Sequence, residues 1–236
     1  MDEFESMIMN ALSNLKQNDI VRSESKSDYE RAMEVDWFKN MVENKILPTK
    51  QQLIETVAGG IFSDTWRTSN IIRQAYIKKF GFACFSKESF DDLIAYIGNR
   101  KCLEVCAGTG WLSSLLLDAG IDIIATDLGT WEKRWNFTDW SKQRIKFIDM
   151  DIPIDAVKAI NKYSDAEIVI MSWPEYESPL ANLVLNKCLE TGKELIYIGE
   201  DQGGCTADDS FFETIYEKDL EMEPISDHYI SFDGDS

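Results

Sequence analysis

Apolar and polar positions follow two different periods along this chain, and the change comes near residue 100. Over residues 1–99 the apolar positions recur every three to four residues, the period of a helix with one buried face. Phe4, Met7, Ile8, Ala11, Leu12 and Leu15 trace the first stripe, and the polar stretch Gln17 to Asp28 reads as a linker. A second helix is expected from Tyr29 to Glu43, with Met33, Trp37 and Met41 on one face. Pro48-Thr49 opens a third, which runs through Ala58 and closes at Gly59-Gly60. Another is expected from about Ser69 to Phe80, stopped by Gly81. A further one spans Glu88 to Ile97, capped by Ser86 and ended by Gly98.

From Lys101 short apolar runs alternate with amphipathic stretches. The spacing predicts strands at Cys102–Cys106, Ile121–Asp127, Ile145–Ile148, Glu167–Met171 and Glu194–Gly199. Helices are expected over Leu112–Ala119, after Pro153, over Pro179–Glu190 and over Asp208–Glu217. Two last short strands, near Leu220–Glu223 and His228–Phe232, are placed to pair through Ser226-Asp227. Alternation of this kind, with right-handed crossovers, gives an α/β fold built on a doubly wound, mainly parallel sheet. Residues 1–80 form a helical extension to it, and residues 81–236 form the Rossmann-like domain.

The first strand carries an acid, Glu104, and breaks into the small-residue turn Cys106-Ala107-Gly108-Thr109-Gly110 before its helix. Glycines there permit backbone angles barred to other residues and let a ligand approach closely. The helix N-terminus behind them offers free N–H groups. Asp127 ends the second strand, 17 residues after Gly110, where an acid suits the two hydroxyls of a ribose. Two cofactors fit such a unit. The dinucleotide fingerprint needs a third glycine where this chain has Ser113, so a nicotinamide oxidoreductase would use the turn and Asp127 but leave Glu104 unexplained.

Composition narrows the field. The chain has 236 residues, 44% of them hydrophobic, enough for one sizeable core and an appendage. No apolar run reaches membrane-spanning length, and the acidic start Met1-Asp2-Glu3-Phe4-Glu5 lacks the basic region of a signal peptide. Five scattered cysteines with no C-x-x-C pair fit a reducing cytoplasm and argue against a zinc site. A single histidine, His228, leaves no material for a histidine-based triad. The net charge of −18 opposes binding to nucleic acid or anionic membrane. It suits a small-molecule or basic protein partner, or solubility alone. Oligomeric state is not legible.

Four pieces of the sequence stand together: Gly81-Phe82-Ala83, Leu103 to Gly110, Ser172 to Tyr176, and Ile198 to Asp209 with its Gly203-Gly204-Cys205-Thr206. In this order they resemble the class I S-adenosylmethionine-dependent methyltransferases, and most closely a little-characterised bacterial, phage and fungal group. The resemblance covers about 150 residues. It implies S-adenosyl-L-methionine as cofactor. Glu104 would hold its amino group through the turn backbone or water. Gly108 and Gly110 would pass beside its methionine moiety, with Ala107 and Trp111 also among the cofactor-binding residues. Asp127 would take both ribose hydroxyls, with Leu128 next to it. Asp151 would meet the adenine amino group, with Met150 against the ring.

The fourth predicted strand delivers Ser172, Trp173, Glu175 and Tyr176 to the edge that faces the transferable methyl in this family, so these are the candidate catalytic residues, and Ser172 also borders the cofactor. Three residues depart from the family pattern. Cys106 replaces a glycine. Trp173 stands where enzymes that methylate base amino groups carry Asp or Asn, and cannot accept hydrogen bonds from an amino group. Glu175 replaces a proline; it is placed to act as a base, to bind a cationic substrate, or to be solvated. Trp111 and Trp173 are available for cation–π attraction to a sulfonium, worth about 1 kcal/mol. Glu200, Asp208 and Asp209 could bind a metal or a basic group, although Asp208 stands where it would cap the next helix. A non-catalytic protein that retains the cofactor pocket, or presents an acidic surface, accounts for the same residues.

Overall fold

The computed structural model describes residues 27–57, 64–130 and 146–230. The expected helix within the first 26 residues, and the tryptophan-rich stretch with Trp131, Trp135 and Trp140, lie outside them.

Among the described residues the chain forms nine helices and one all-parallel sheet of four strands. The helices α1 (Asp28–Ala32), α2 (Asp36–Asn44), α3 (Lys50–Val57), α4 (Asp64–Lys79) and α5 (Lys87–Ile97) precede the sheet. Then come β1 (Cys102–Val105), α6 (Trp111–Asp118), β2 (Ile123–Ala125), α7 (Ala156–Lys162), β3 (Ile168–Ser172), α8 (Leu180–Thr191), β4 (Glu194–Ile198) and α9 (Asp209–Glu217). The strand order is β2-β1-β3-β4. β1 lies between β2 and β3, in register Cys102↔Ile123 and Cys102↔Ile168, so the winding reverses beside its carboxyl end. Open parallel sheets bind ligands at such a switch point.

Strand side chains alternate between two cores, as the pleat requires. Cys102, Ile123, Ile168, Ile170 and Ile196 face the core shared with α6 and the N-terminal helices, where Phe38, Met41, Leu53, Tyr76 and Phe80 are almost fully buried. Leu103, Val105, Val169 and Met171 face the opposite core, with Ala159 and Ile160 of α7, Val184 of α8 and Phe211 of α9. Each fully buried Leu, Ile or Phe contributes roughly 1.5–3 kcal/mol.

Several expected boundaries move. The helix expected over Tyr29–Glu43 is two helices. A reciprocal cap between Ser27 and Glu30 starts the first, and tight turns at Glu34 and Val35 separate it from α2. Helix α4 starts at Asp64, ahead of the expected Ser69.

Two expected strand regions are corrected. Residues 146–150 form no strand; the backbone joins the sheet only at an isolated bridge, Thr126↔Asp151. The N–H of Phe147 is instead given to the carbonyl of Thr109 at 3.0 Å, and its ring packs on Phe80 and Trp111. Phe147 and Ile148 are thus half-buried by covering the glycine turn, not by pairing. The terminal strand pair is also absent from the described residues. There Ser226 and His228 bond to Asp92, the carbonyl of His228 accepts from Ser86 Oγ, and Tyr229 packs on Phe85. Side-chain anchors on α5 take the place of a ladder. No described helix is long and apolar enough to cross a membrane.

Candidate functional site

The carboxyl ends of β1, β2 and β3 gather most of the residues singled out from the sequence. After Val105 the chain turns at Cys106, whose φ is +57°, and Gly108 and Gly110 follow at +57° and +74°. Gly110 is the residue before α6. The turn is fastened at several points. Gly110 N–H donates to Ala107 O at 2.8 Å, Ala107 N–H donates to Thr126 O at 3.0 Å, and Thr109 Oγ1 donates to the carbonyl of Phe80. The two glycines serve different ends. A side chain on Gly110 would stand 2.9 Å from Ile148 Cγ1 and 3.1 Å from Met150 Sδ, whereas one on Gly108 would meet nothing within 4 Å. Gly110 admits a neighbouring segment of the protein, and Gly108 faces open space.

Asp127, 6% exposed, joins β2 to this turn. Its Oδ2 accepts from Gly108 N–H at 2.9 Å and its Oδ1 from Gly129 N–H at 2.6 Å. Leu128 beside it is 47% exposed, an apolar side chain held at the rim.

Glu104 is 2% exposed on an otherwise apolar strand. Its Oε2 accepts from the backbone N–H of Ser113 at 3.1 Å and from Ser113 Oγ. Ser113 is in the first turn of α6, so Glu104 satisfies a helix N-terminus from the strand below. Burial pushes its carboxyl up to about 7, against the opposing pull of the Ser113 hydrogen bonds.

Asp151 lies at the bridge to β2, with its Oδ2 taking Lys162 Nζ at 2.6 Å and Tyr163 OH at 2.9 Å. The Lys162 bond, followed by that of Tyr163, holds this carboxyl below its usual range. Met150 is half-buried and leans on Gly110. Trp111 is 4% exposed, and its ring packs against Phe80 at 4.4 Å and Phe147 at 4.8 Å. It belongs to the aromatic cluster behind the turn.

The tip of β3 carries the four remaining candidates. Ser172 is the last strand residue, in register with Ile198. Trp173 has a φ of +52°, uncommon for a bulky residue, and donates its N–H to Ile198 O at 2.6 Å. Pro174 is buried, while Glu175 and Tyr176 are exposed. The charge of Glu175 is one of those that raise the thiol of Cys106 to about 12, after burial and the charges of Asp127, Asp155 and Glu104. The negative charge of Glu177 is the first cause raising the hydroxyl of Tyr176 above its usual range.

The loop after β4 is closed on itself. Glu200 accepts from Cys205 N–H, and Thr206 Oγ1 meets Tyr197 OH at 2.6 Å and Glu200 N–H at 2.8 Å. Asp208 caps α9. Among the described residues no group of acidic, cysteine or histidine side chains is arranged to hold a metal ion.

Two contributors from the helical layer have no counterpart among the residues singled out as site candidates. Phe82 stacks on Trp173, with centroids 6.1 Å apart and planes 10° from parallel, and the Arg73 guanidinium lies 5.6 Å from the same ring. The visible signal was an arginine inside the apolar face Ile72, Ala75, Tyr76, Phe80.

No protein-family model matches this chain, and no curated protein does. Among solved structures, a PLP-bound C-S lyase from Staphylococcus hominis matches at 14% identity, with a TM-score of 0.29. The match covers 72% of this chain and 42% of that one. It is too slight to carry the chemistry or the fold of either to the other.

Proposed function

We propose that this chain binds S-adenosyl-L-methionine at the carboxyl edge of the sheet and transfers its methyl group to a small-molecule or protein acceptor. The observation that supports this best is the junction of Asp127 with Gly108. The acid of the second strand and the glycine turn of the first meet at the switch point, beside a position where an added side chain would enter open space. In this reading the Asp127 carboxylate takes the ribose hydroxyls. Leu128, exposed, and Met150, against the turn, are the apolar surfaces near at hand for an adenine. In this reading Asp151 serves the adenine only by sharing a carboxylate that Lys162 and Tyr163 already use.

The bound group supplies an activated methyl on a positively charged sulfur. The protein's part is to fix the geometry of an in-line displacement, in which small misplacements are costly. Ser172 and Trp173 form the tip nearest the turn in register, and in this reading Glu175 is the carboxylate that takes a proton from an acceptor. Tyr176, with its hydroxyl raised, stays protonated at neutral pH and does not serve as a base there. The rim is acidic and the net charge is −18, which favours an uncharged or basic acceptor over nucleic acid. The exposure of Glu175 and Tyr176 is the observation that favours a second reading, a binding protein with the same pocket and no turnover.

Asp127→Ala is expected to weaken S-adenosylmethionine by roughly 2–3 kcal/mol, the loss of charge-assisted hydrogen bonds. Calorimetric titration of the wild-type and variant proteins, with NAD as a parallel ligand, checks this. Equal affinity in the two proteins would remove Asp127 from the site, and binding of NAD alone would replace the methyltransferase reading. Release of S-adenosylhomocysteine with cell extract separates the enzyme from the binder.

A further inference from the structure

Trp173 needs support. A bulky residue at positive φ is strained and persists only where its surroundings over-determine it. The following proline disfavours helical backbone angles there as well. One backbone bond, from Trp173 N–H to Ile198 O at 2.6 Å, fixes the main chain. It leaves the indole free to rotate about its own side-chain bonds.

Two residues of the helical layer hold the ring. Phe82 lies parallel to it, and Arg73 of α4 reaches both partners: Nη1 donates to Phe82 O at 3.0 Å, and the guanidinium lies over the Trp173 ring at 5.6 Å. Arg73 is only 5% exposed. Its surroundings are Tyr76, Cys84 and Tyr229, with the charge of Glu200 also acting on it. Burial lowers its basicity, yet a guanidinium stays charged in proteins. Cation–π attraction strengthens when water is removed, so this buried position suits a clamp on an aromatic ring.

We propose that Arg73 is a positioning residue, which fixes Phe82 and Trp173 as one rigid wall on the acceptor side of the cleft. The wall's use in methyl transfer rests on the function proposed above; the clamp itself does not. It assigns the N-terminal helices a part in the site beyond covering the sheet.

The test is fluorine NMR of the full chain labelled with 5-fluorotryptophan. Seven tryptophans give seven lines, and Trp173→Phe identifies the one that matters. Arg73→Met is expected to displace and broaden the Trp173 line and to leave those of the buried Trp37 and Trp111 in place. Arg73→Lys, which keeps the charge without the planar fork, should give a smaller displacement. Phe82→Leu should move the same line and keeps the proposal testable if Arg73→Met fails to fold. An unmoved Trp173 line in Arg73→Lys and Phe82→Leu would overturn it, as would equal movement of Trp37, Trp111 and Trp173. S-adenosylmethionine titration of the labelled wild-type protein is the separate arm. Absence of binding there ends the methyltransferase reading and leaves the clamp standing, whereas an unmoved line ends the clamp and leaves the cofactor reading.

Discussion

Gly108→Val is expected to reduce S-adenosylmethionine affinity more than about 100-fold, a loss of about 2.7 kcal/mol, in a protein that remains folded. Gly110→Val is expected to lose stability first. Both positions have positive φ, so either substitution carries roughly 1–2 kcal/mol of backbone strain. They differ in what the new side chain meets. At Gly108 the added Cβ meets no described atom within 4 Å, so the side chain projects toward the proposed ligand site. At Gly110 it runs into Ile148 and Met150, the segment that covers the turn and whose Phe147 completes the aromatic cluster. Urea unfolding separates the two variants, and calorimetry measures the ligand. A Gly108→Val protein that folds and binds normally would move the cofactor away from this turn.

The second large effect concerns pH. Glu104 ionises near 7 when folded and near 4.5 when exposed. The folded state therefore holds its proton over a range in which the unfolded chain has released it. By linkage, stability falls as pH rises through that window. Glu104 contributes its full effect below about pH 4.5, and by pH 8 about 3 kcal/mol has been lost. Glu104→Gln cannot ionise, so it should gain on the wild-type protein by that amount between pH 4.5 and pH 8. Comparing the two proteins cancels the titration of the many surface acids. A stability difference that is flat across the window would show that Glu104 is not proton-linked.

The cause of that behaviour also marks how far the sequence could be read. An acid within Cys102–Val105 is visible as an interruption of an apolar run, and its place before a glycine turn suggested a ligand contact. Its partner, Ser113, is nine residues away. Helical phase alone shows which residues of α6 face outward, not that the strand beneath lends one an acceptor. The place of Asp127 at a strand tip was legible for the opposite reason, since its two amide partners, Gly108 and Gly129, lie within or just after the same βαβ unit.

Local sequence by itself determined four of the strands and the four helices between Cys102 and Glu217, the glycine turn and the acid at the end of β2. Period and turn chemistry act over a few residues, and they require no knowledge of distant partners. Tertiary structure decided what those rules cannot reach. Residues 146–150 form no strand because packing Phe147 against Phe80 and Trp111, and giving its N–H to Thr109, replaces the ladder. The terminal segment runs along α5 because Asp92 and Ser86 anchor it. Trp173 meets Phe82 and Arg73 only because α4 and the stretch after it lie over the end of β3. In each case the deciding contact joins residues far apart in the chain, so its energy enters only once the layers have packed.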